Sequence, residues 1–183
     1  MANFSDNNLN NMLVQFAKKG DVDVVRQLLE KGANPSFNDA YALRCSASHG
    51  HAECVEALIL GLATNPDVNL CNGALVSAVL NGHSKCIKLL IPVSDPKADN
   101  SQALSLAARN GYADCVKLLI PVSDPKADNS KALSLAARNG YADCVKLLIP
   151  VSDPKADNSK ALREAQENDH LDCVTLLTHV SVP

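Results

Sequence analysis

The sequence predicts an all-α fold, an α-solenoid of stacked helix-turn-helix units, and three observations carry the prediction. Residues 92–120 and 121–149 are the same 29-residue string, except that Gln102 becomes Lys131. A glycine preceded within one turn by alanine and followed by an apolar run recurs at Gly20, Gly50, Gly82, Gly111 and Gly140. Asp169 stands in the sixth place, and the spacings are 30, 32, 29, 29 and 29 residues. Within each unit the apolar residues recur at helical spacing. A period of this size marks units that bury their apolar faces only by stacking on one another.

Each element of the unit has a local cause. Ser101 is placed to cap a first helix in which Leu104, Ala107 and Ala108 form the apolar stripe, and Asn110-Gly111 supplies a positive-φ stop. Ala113, Val116, Leu119 and Ile120 then mark a second helix, widened by Cys115 and Leu118 and ended by Pro121. Residues 121–129 carry two prolines and four polar turn formers, Ser123, Asp124, Asp128 and Asn129, so a turn or one tight helical turn is expected there in place of a strand. The period divides the chain into one domain, 1–183, of six units: about 8–38, 39–70, 71–99, 100–128, 129–157 and 158–183.

The string Ala103-Leu104-Ser105-Leu106-Ala107-Ala108-Arg109-Asn110-Gly111-Tyr112, followed by Cys115-Val116-Lys117-Leu118-Leu119-Ile120, resembles the ankyrin repeat. So does the first unit, Phe16-Ala17-Lys18-Lys19-Gly20 with Leu28-Leu29-Glu30-Lys31-Gly32-Ala33-Asn34-Pro35. Two departures stand out. The Thr-Pro-Leu-His start of the family's first helix is replaced by Gln102-Ala103-Leu104-Ser105 and its relatives, which removes the usual hydroxyl and imidazole bonds between repeats. The unit is also about four residues short of the family's 33, so short loops are expected in place of full β-hairpin fingers. The resemblance implies a concave surface of first-helix positions and connector tips suited to a protein partner, in a non-catalytic interaction module.

Composition narrows the function classes. The formal net charge of -3 offers no general attraction to nucleic acid or anionic membrane. The N-terminus has no signal-like pattern and no apolar run is long enough to span a bilayer, so a soluble protein is expected. Seven cysteines, an odd number, point to free thiols in a reducing cytoplasm. Ankyrin-like chains also serve, in host-associated microbes, as proteins delivered into a host cytosol. A monomer is expected. Both ends are more polar than the middle: Asn7, Asn8, Asn10, Asn11 and Gln15 precede or flank the first stripe. Arg163-Glu164-Ala165-Gln166-Glu167 replaces the apolar internal face in the last unit, so the ends read as capping repeats of a complete stack.

Candidate chemistry is sparse. Cys54, Cys86, Cys115, Cys144 and Cys173 fall four residues after the turn position and read as a buried column of small hydrophobes, too far apart for disulfides. Cys45, His49, His51 and Cys54 lie within ten residues, but they fall on two helices and a turn, so no metal site is assigned. No nucleophile–base pairing or phosphate loop is visible, so no enzyme activity and no cofactor are assigned. Partner contacts are expected at Tyr41, Arg44, Ser48, His49, Leu80, Gln102, Arg109, Lys131 and Arg138. The unlike residues of 41–80 are expected to carry specificity, because identical copies cannot read a partner that lacks their period. Arg109 and Arg138 are expected to stack as a ladder of planar donors. The other reading is a structural or engineered scaffold whose copies lengthen the rod and bind nothing.

Overall fold

The computed structural model describes residues 4–62 and 67–181. Those residues form twelve α-helices and no β-strand. In order they are α1 (Phe4–Lys19), α2 (Val22–Glu30), α3 (Phe37–His49), α4 (Ala52–Gly61), α5 (Val68–Leu80), α6 (Ser84–Leu90), α7 (Ala98–Arg109), α8 (Ala113–Leu119), α9 (Ala127–Arg138), α10 (Ala142–Leu148), α11 (Ala156–Glu167) and α12 (Leu171–Ser181). Odd and even helices pair as hairpins, α1 with α2 through α11 with α12. None of the described helices is long and apolar enough to cross a membrane.

Packing divides the chain into two compact units, residues 1–95 and 96–183. In the first, α1, α3 and α5 pack side by side, as do α2, α4 and α6; in the second, α7, α9 and α11 form one row and α8, α10 and α12 the other. Leucine and β-branched residues of the second helices fill both cores. Val55 and Leu58, Ile87 and Leu90, Val116 and Leu119, and Val145 and Leu148 are fully buried, and alanines such as Ala78, Ala107 and Ala136 let the first helices approach closely. A fully buried Leu contributes roughly 1.5 to 3 kcal/mol over an exposed one.

Short connectors follow the second helices, as the sequence implies. Ile91–Val93 and Ile120–Val122 each make one 3-10 turn with a proline at its start. Proline's fixed φ suits a first helical position, and its missing N–H ends the preceding helix.

The start of the first helix differs from the expectation. Ser101 does not cap α7: Lys97 stands at the N-cap position without a side-chain capping bond, and Asp99, Asn100 and Ser101 turn left-handed at φ 49, 56 and 58. The same left-handed triplet recurs at 38–40, 128–130 and 157–159. Left-handed backbone costs roughly 1 to 2 kcal/mol per ordinary residue, less for Asn and Asp, which fill most of these positions. A bond to the following repeat offsets part of that cost. Asp124 N donates to Ser101 Oγ at 2.8 Å, and Asp153 N donates to Ser130 Oγ at 2.9 Å. In the first unit Asn10 and Asn72 serve the same way, accepting from Asn34 N and Asp95 N, each at 2.7 Å.

The polar end of the last hairpin has a visible consequence. Ser134 and Ala137 are buried in α9, whereas Arg163 and Gln166, at the same register of α11, are exposed.

Candidate functional site

A repeated device holds the turns between hairpins. The residue after the turn glycine sends a ring back to the preceding repeat: His51 Nε2–H donates to the Lys18 carbonyl at 3.1 Å, and His83 Nε2–H to that of Ser48 at 3.0 Å. In the second unit His170 Nε2–H reaches the Arg138 carbonyl at 3.0 Å. Asn139 adds an amide bond to the Arg109 carbonyl at 3.0 Å, and Asn81 one to Ser48 Oγ at 3.2 Å. Side-chain bonds between repeats are thus present after all. They sit at the turn and the triplet, away from the helix start where the Thr-Pro-Leu-His motif would have put them.

Four of the predicted partner residues come together in the first unit. Tyr41, Arg44 and Ser48 follow one face of α3 at intervals of three and four, the spacing that brings side chains together on a helix, and His49 adjoins them at its C-terminal end. With Lys18, Cys45 and Ser77 they line a depression of about 300 Å³. The Arg44 guanidinium carbon lies 5.4 Å from the centre of the Tyr41 ring, within cation–π range. Tyr41 is 42% exposed. His49 Nδ1–H donates to the Cys45 carbonyl at 2.9 Å, and its ring is nearly parallel to that of His51 with centroids 6.0 Å apart. Leu80 is 46% exposed, three residues beyond Ser77 on α5.

The second unit arranges its candidates differently. Gln102, Arg109 and Lys131 line a depression of about 270 Å³ with Asp99 and Asp128. Lys131 and Arg138 line the next, of about 240 Å³, with Asp157, Lys160 and Glu164. Here three of the cations have partners within the unit. Lys131 Nζ is 2.8 Å from Asp128 Oδ2, Lys160 Nζ is 3.7 Å from Asp157 Oδ2, and Arg138 Nε is 3.7 Å from Glu164 Oε2. The hydrogen bond and charge of Lys131 hold the Asp128 carboxyl below its ordinary range. Exposed pairs of this kind contribute little stability. Lys18, Ser77 and Glu164 line these depressions and were not among the predicted contacts. The register that places them one repeat from Ser48, Cys45 and Leu135, at offsets of 30, 32 and 29 residues respectively, is the signal that could have found them.

The cysteine column lies in the core. Cys54, Cys86, Cys115, Cys144 and Cys173 are at most 1% exposed, and all seven cysteines are free thiols. Burial away from water pushes the thiols of Cys54, Cys115 and Cys144 up to about 11, with nearby carboxylates adding to the effect. A thiol held protonated is a poor nucleophile and a poor metal ligand. Cys45 and Cys54 are buried on different helices, and His51 is committed to the Lys18 carbonyl. Among the described residues no group of three or more His, Cys, Asp or Glu side chains is placed to hold a metal ion.

Comparison with known proteins agrees with this geometry. The family model described as ankyrin repeats (3 copies) matches residues 2–70, 47–129 and 104–182. The putative ankyrin repeat protein L66 of Acanthamoeba polyphaga mimivirus is 31% identical over 91 residues, which is 50% of this chain and 15% of that protein. The chain therefore spans only a small part of that relative. Among solved structures, the human ASB11 ankyrin repeat domain superposes with a TM-score of 0.76 at 20% identity, over 93% of this chain and 84% of the other. An ankyrin repeat domain from Acinetobacter baumannii AYE gives a TM-score of 0.75 at 22% identity, over 92% and 96%.

Proposed function

Because the chain belongs to the ankyrin repeat family, whose members generally mediate protein–protein interaction, we propose that it is a non-catalytic module. It binds a protein partner through the exposed face of its first helices, with specificity in the first unit. The observation that carries this reading is the clustering of Tyr41, Arg44, Ser48 and His49 around one depression. None of the four has the same residue at the matching position of the near-identical copies, and function on a repeat fold resides in such differences. Its cytoplasmic setting is part of the same proposal, supported by seven free thiols.

A second reading is favoured for residues 96–183, in which the near-identical units act as a structural shaft. Lys131 and Arg138 already have internal carboxylate partners, so a ligand would have to displace them. An affinity pull-down from the native cell or host, followed by mass spectrometry, tests both readings. Partners captured by the full chain are expected to be lost with Arg44→Glu and His49→Ala, and retained when Arg109 and Arg138 are changed to Gln. The reverse pattern would move the binding face to the second unit.

A further inference from the structure

We infer, resting on the reading of the first unit as the partner-binding half, that the Arg44 depression is a carboxylate receptor. It takes an Asp or Glu side chain from an extended segment of the partner, with an apolar neighbour of that residue lying against Leu80.

Two exceptions to the repeat build this site. At the register of Ser105 and Ser134, which are buried, the second hairpin has Arg44. At the register of Gln102, Lys131 and Lys160, the facing helix α5 has Gly73. A Cβ at Gly73 would lie 3.3 Å from Arg44 Cδ, so a side chain extending beyond Cβ there would take the place of the arginine stem. Glycine inside a helix costs about 1 kcal/mol relative to alanine. The gain is an arginine held by its stem, with the guanidinium laid over Tyr41.

That guanidinium is incompletely satisfied. Arg44 Nε is buried and has no hydrogen-bond partner among the described residues. Buried donors are nearly always paired, and an orphan on a charged group is costly, so an acceptor that draws the guanidinium outward and exposes Nε recovers the difference. The lining explains which ligand. Lys18 and Arg44 are its charged members, Ser48, His49 and Ser77 its other polar ones, with the Ser77 hydroxyl already donating to the Gly73 carbonyl at 2.8 Å, and no Asp or Glu lines it. The depressions of the second unit are lined by Asp128, Asp157 and Glu164 alongside their cations. The first unit thus lacks the internal anion that its counterparts contain, and a planar guanidinium matches a carboxylate by two parallel N–H bonds. A space of about 300 Å³ admits a side chain, on the order of ten water volumes, and not a folded element. Leu80 extends the site as an exposed apolar shelf, one helical step from Ser77.

The test selects ligands from a random linear peptide library on the immobilised full chain, then titrates a synthetic peptide of the recovered consensus. Selection is expected to enrich Asp or Glu beside Leu, Ile, Val or Phe. Changing that acid to its amide, or Arg44→Gln, should weaken binding about tenfold or more, while Arg109→Gln leaves it unchanged. Where Arg44→Gln alters the circular dichroism or melting of the chain, Gly73→Gln provides the second variant: it keeps the charge, displaces the stem, and should give the same loss. Enriched peptides without an acid, or binding indifferent to both variants, would overturn the carboxylate site while leaving a peptide-binding face intact. Tighter binding of a phosphoserine version than of the acidic one would replace the carboxylate by a phosphate. Absence of any enriched peptide would remove the carboxylate receptor and the binding-face reading together.

Discussion

Gly73 lies against the side chain of Arg44: a Cβ built on the glycine would meet Arg44 Cδ at 3.3 Å and Cγ at 3.9 Å. The first distance is tighter than an ordinary van der Waals contact, yet the atom it meets belongs to a flexible stem. Gly73→Ala should therefore gain part of the helix-propensity difference of about 1 kcal/mol and lose little to crowding. Thermal unfolding is expected to rise slightly or stay level. A clear drop would mean that the Arg44 stem has no room to move, and that the helix pair is packed more rigidly than the contact implies.

The turn glycines respond in the opposite direction. Gly140 has φ 76, and a Cβ there would lie 2.6 Å from His170 Nδ1. Gly140→Ala combines left-handed strain of roughly 1 to 2 kcal/mol with displacement of the ring that bonds the Arg138 carbonyl, a bond worth about 1 kcal/mol. Denaturant unfolding should show a loss of about 2 to 3 kcal/mol. A loss below about 0.5 kcal/mol, the range of ordinary surface changes, would sink the view that this turn locks adjacent repeats.

How far the sequence was legible follows from which interactions are local. The period, the glycine stops and the buried cysteine column were readable because each depends on residues within one unit and is then repeated. Ser101 was misread for the complementary reason. Its hydroxyl is a good cap by local propensity, but its hydrogen bond comes from Asp124, a residue 23 positions on, and the backbone turns left-handed to make it. The loss of hydrogen bonds between repeats was inferred from a missing helix-start motif, while His51, His83 and Asn139 supply such bonds from the turn. Within the candidate site, Arg44 was singled out as unlike its counterparts, but the role of Gly73 could not be seen until α5 was known to lie beside α3. The arginine ladder met the same limit, because Arg138 pairs with Glu164 in the following repeat.

Ser130 separates the value of the left-handed triplet from that of the rest of the helix. It is buried, and Asp153 N donates to its Oγ at 2.9 Å. Ser130→Ala leaves that backbone N–H without its acceptor, at a cost of roughly 1 to 3 kcal/mol. Ser130→Asn is expected to lose less, since Asn10 and Asn72 perform the same bonding in the first unit and Asn tolerates left-handed backbone. Chemical denaturation of both variants checks the order, and an Asn variant less stable than the Ala variant would refute the equivalence.

Burial decides the ranking in the core. Leu119 and Leu148 are fully buried, so Leu148→Ala should cost roughly 2 to 5 kcal/mol through lost transfer energy and a residual cavity. Arg109→Ala, on the exposed end of α7, should cost under about 1 kcal/mol. Equal losses in urea titrations would overturn the assignment of inner and outer faces.

Alkaline pH reports on the cysteine column. Thiols of the unfolded chain ionise near their ordinary value of 9.0, whereas those of Cys54, Cys115 and Cys144 in the native state ionise at about 11. Below pH 9 both states are protonated and these groups impose no pH dependence. Between 9 and 11 the native state retains protons that the unfolded state has released, so stability falls with rising pH through that window and levels beyond it. At about 1.4 kcal/mol per unit, the limiting effect is on the order of 1 to 3 kcal/mol for each thiol. The informative comparison is with a variant carrying Cys54→Val, Cys115→Val and Cys144→Val, which shares every other ionisable group with the parent. Valine is the residue found at the matching position in the first hairpin, Val24, and keeps the column apolar. The urea midpoint of the parent should fall more steeply than that of the variant from pH 9 to 11, and the two should run parallel below pH 8.5. Parallel curves throughout would mean that the thiols ionise as easily in the folded chain as in the unfolded one, and that the column is wetter than its burial implies.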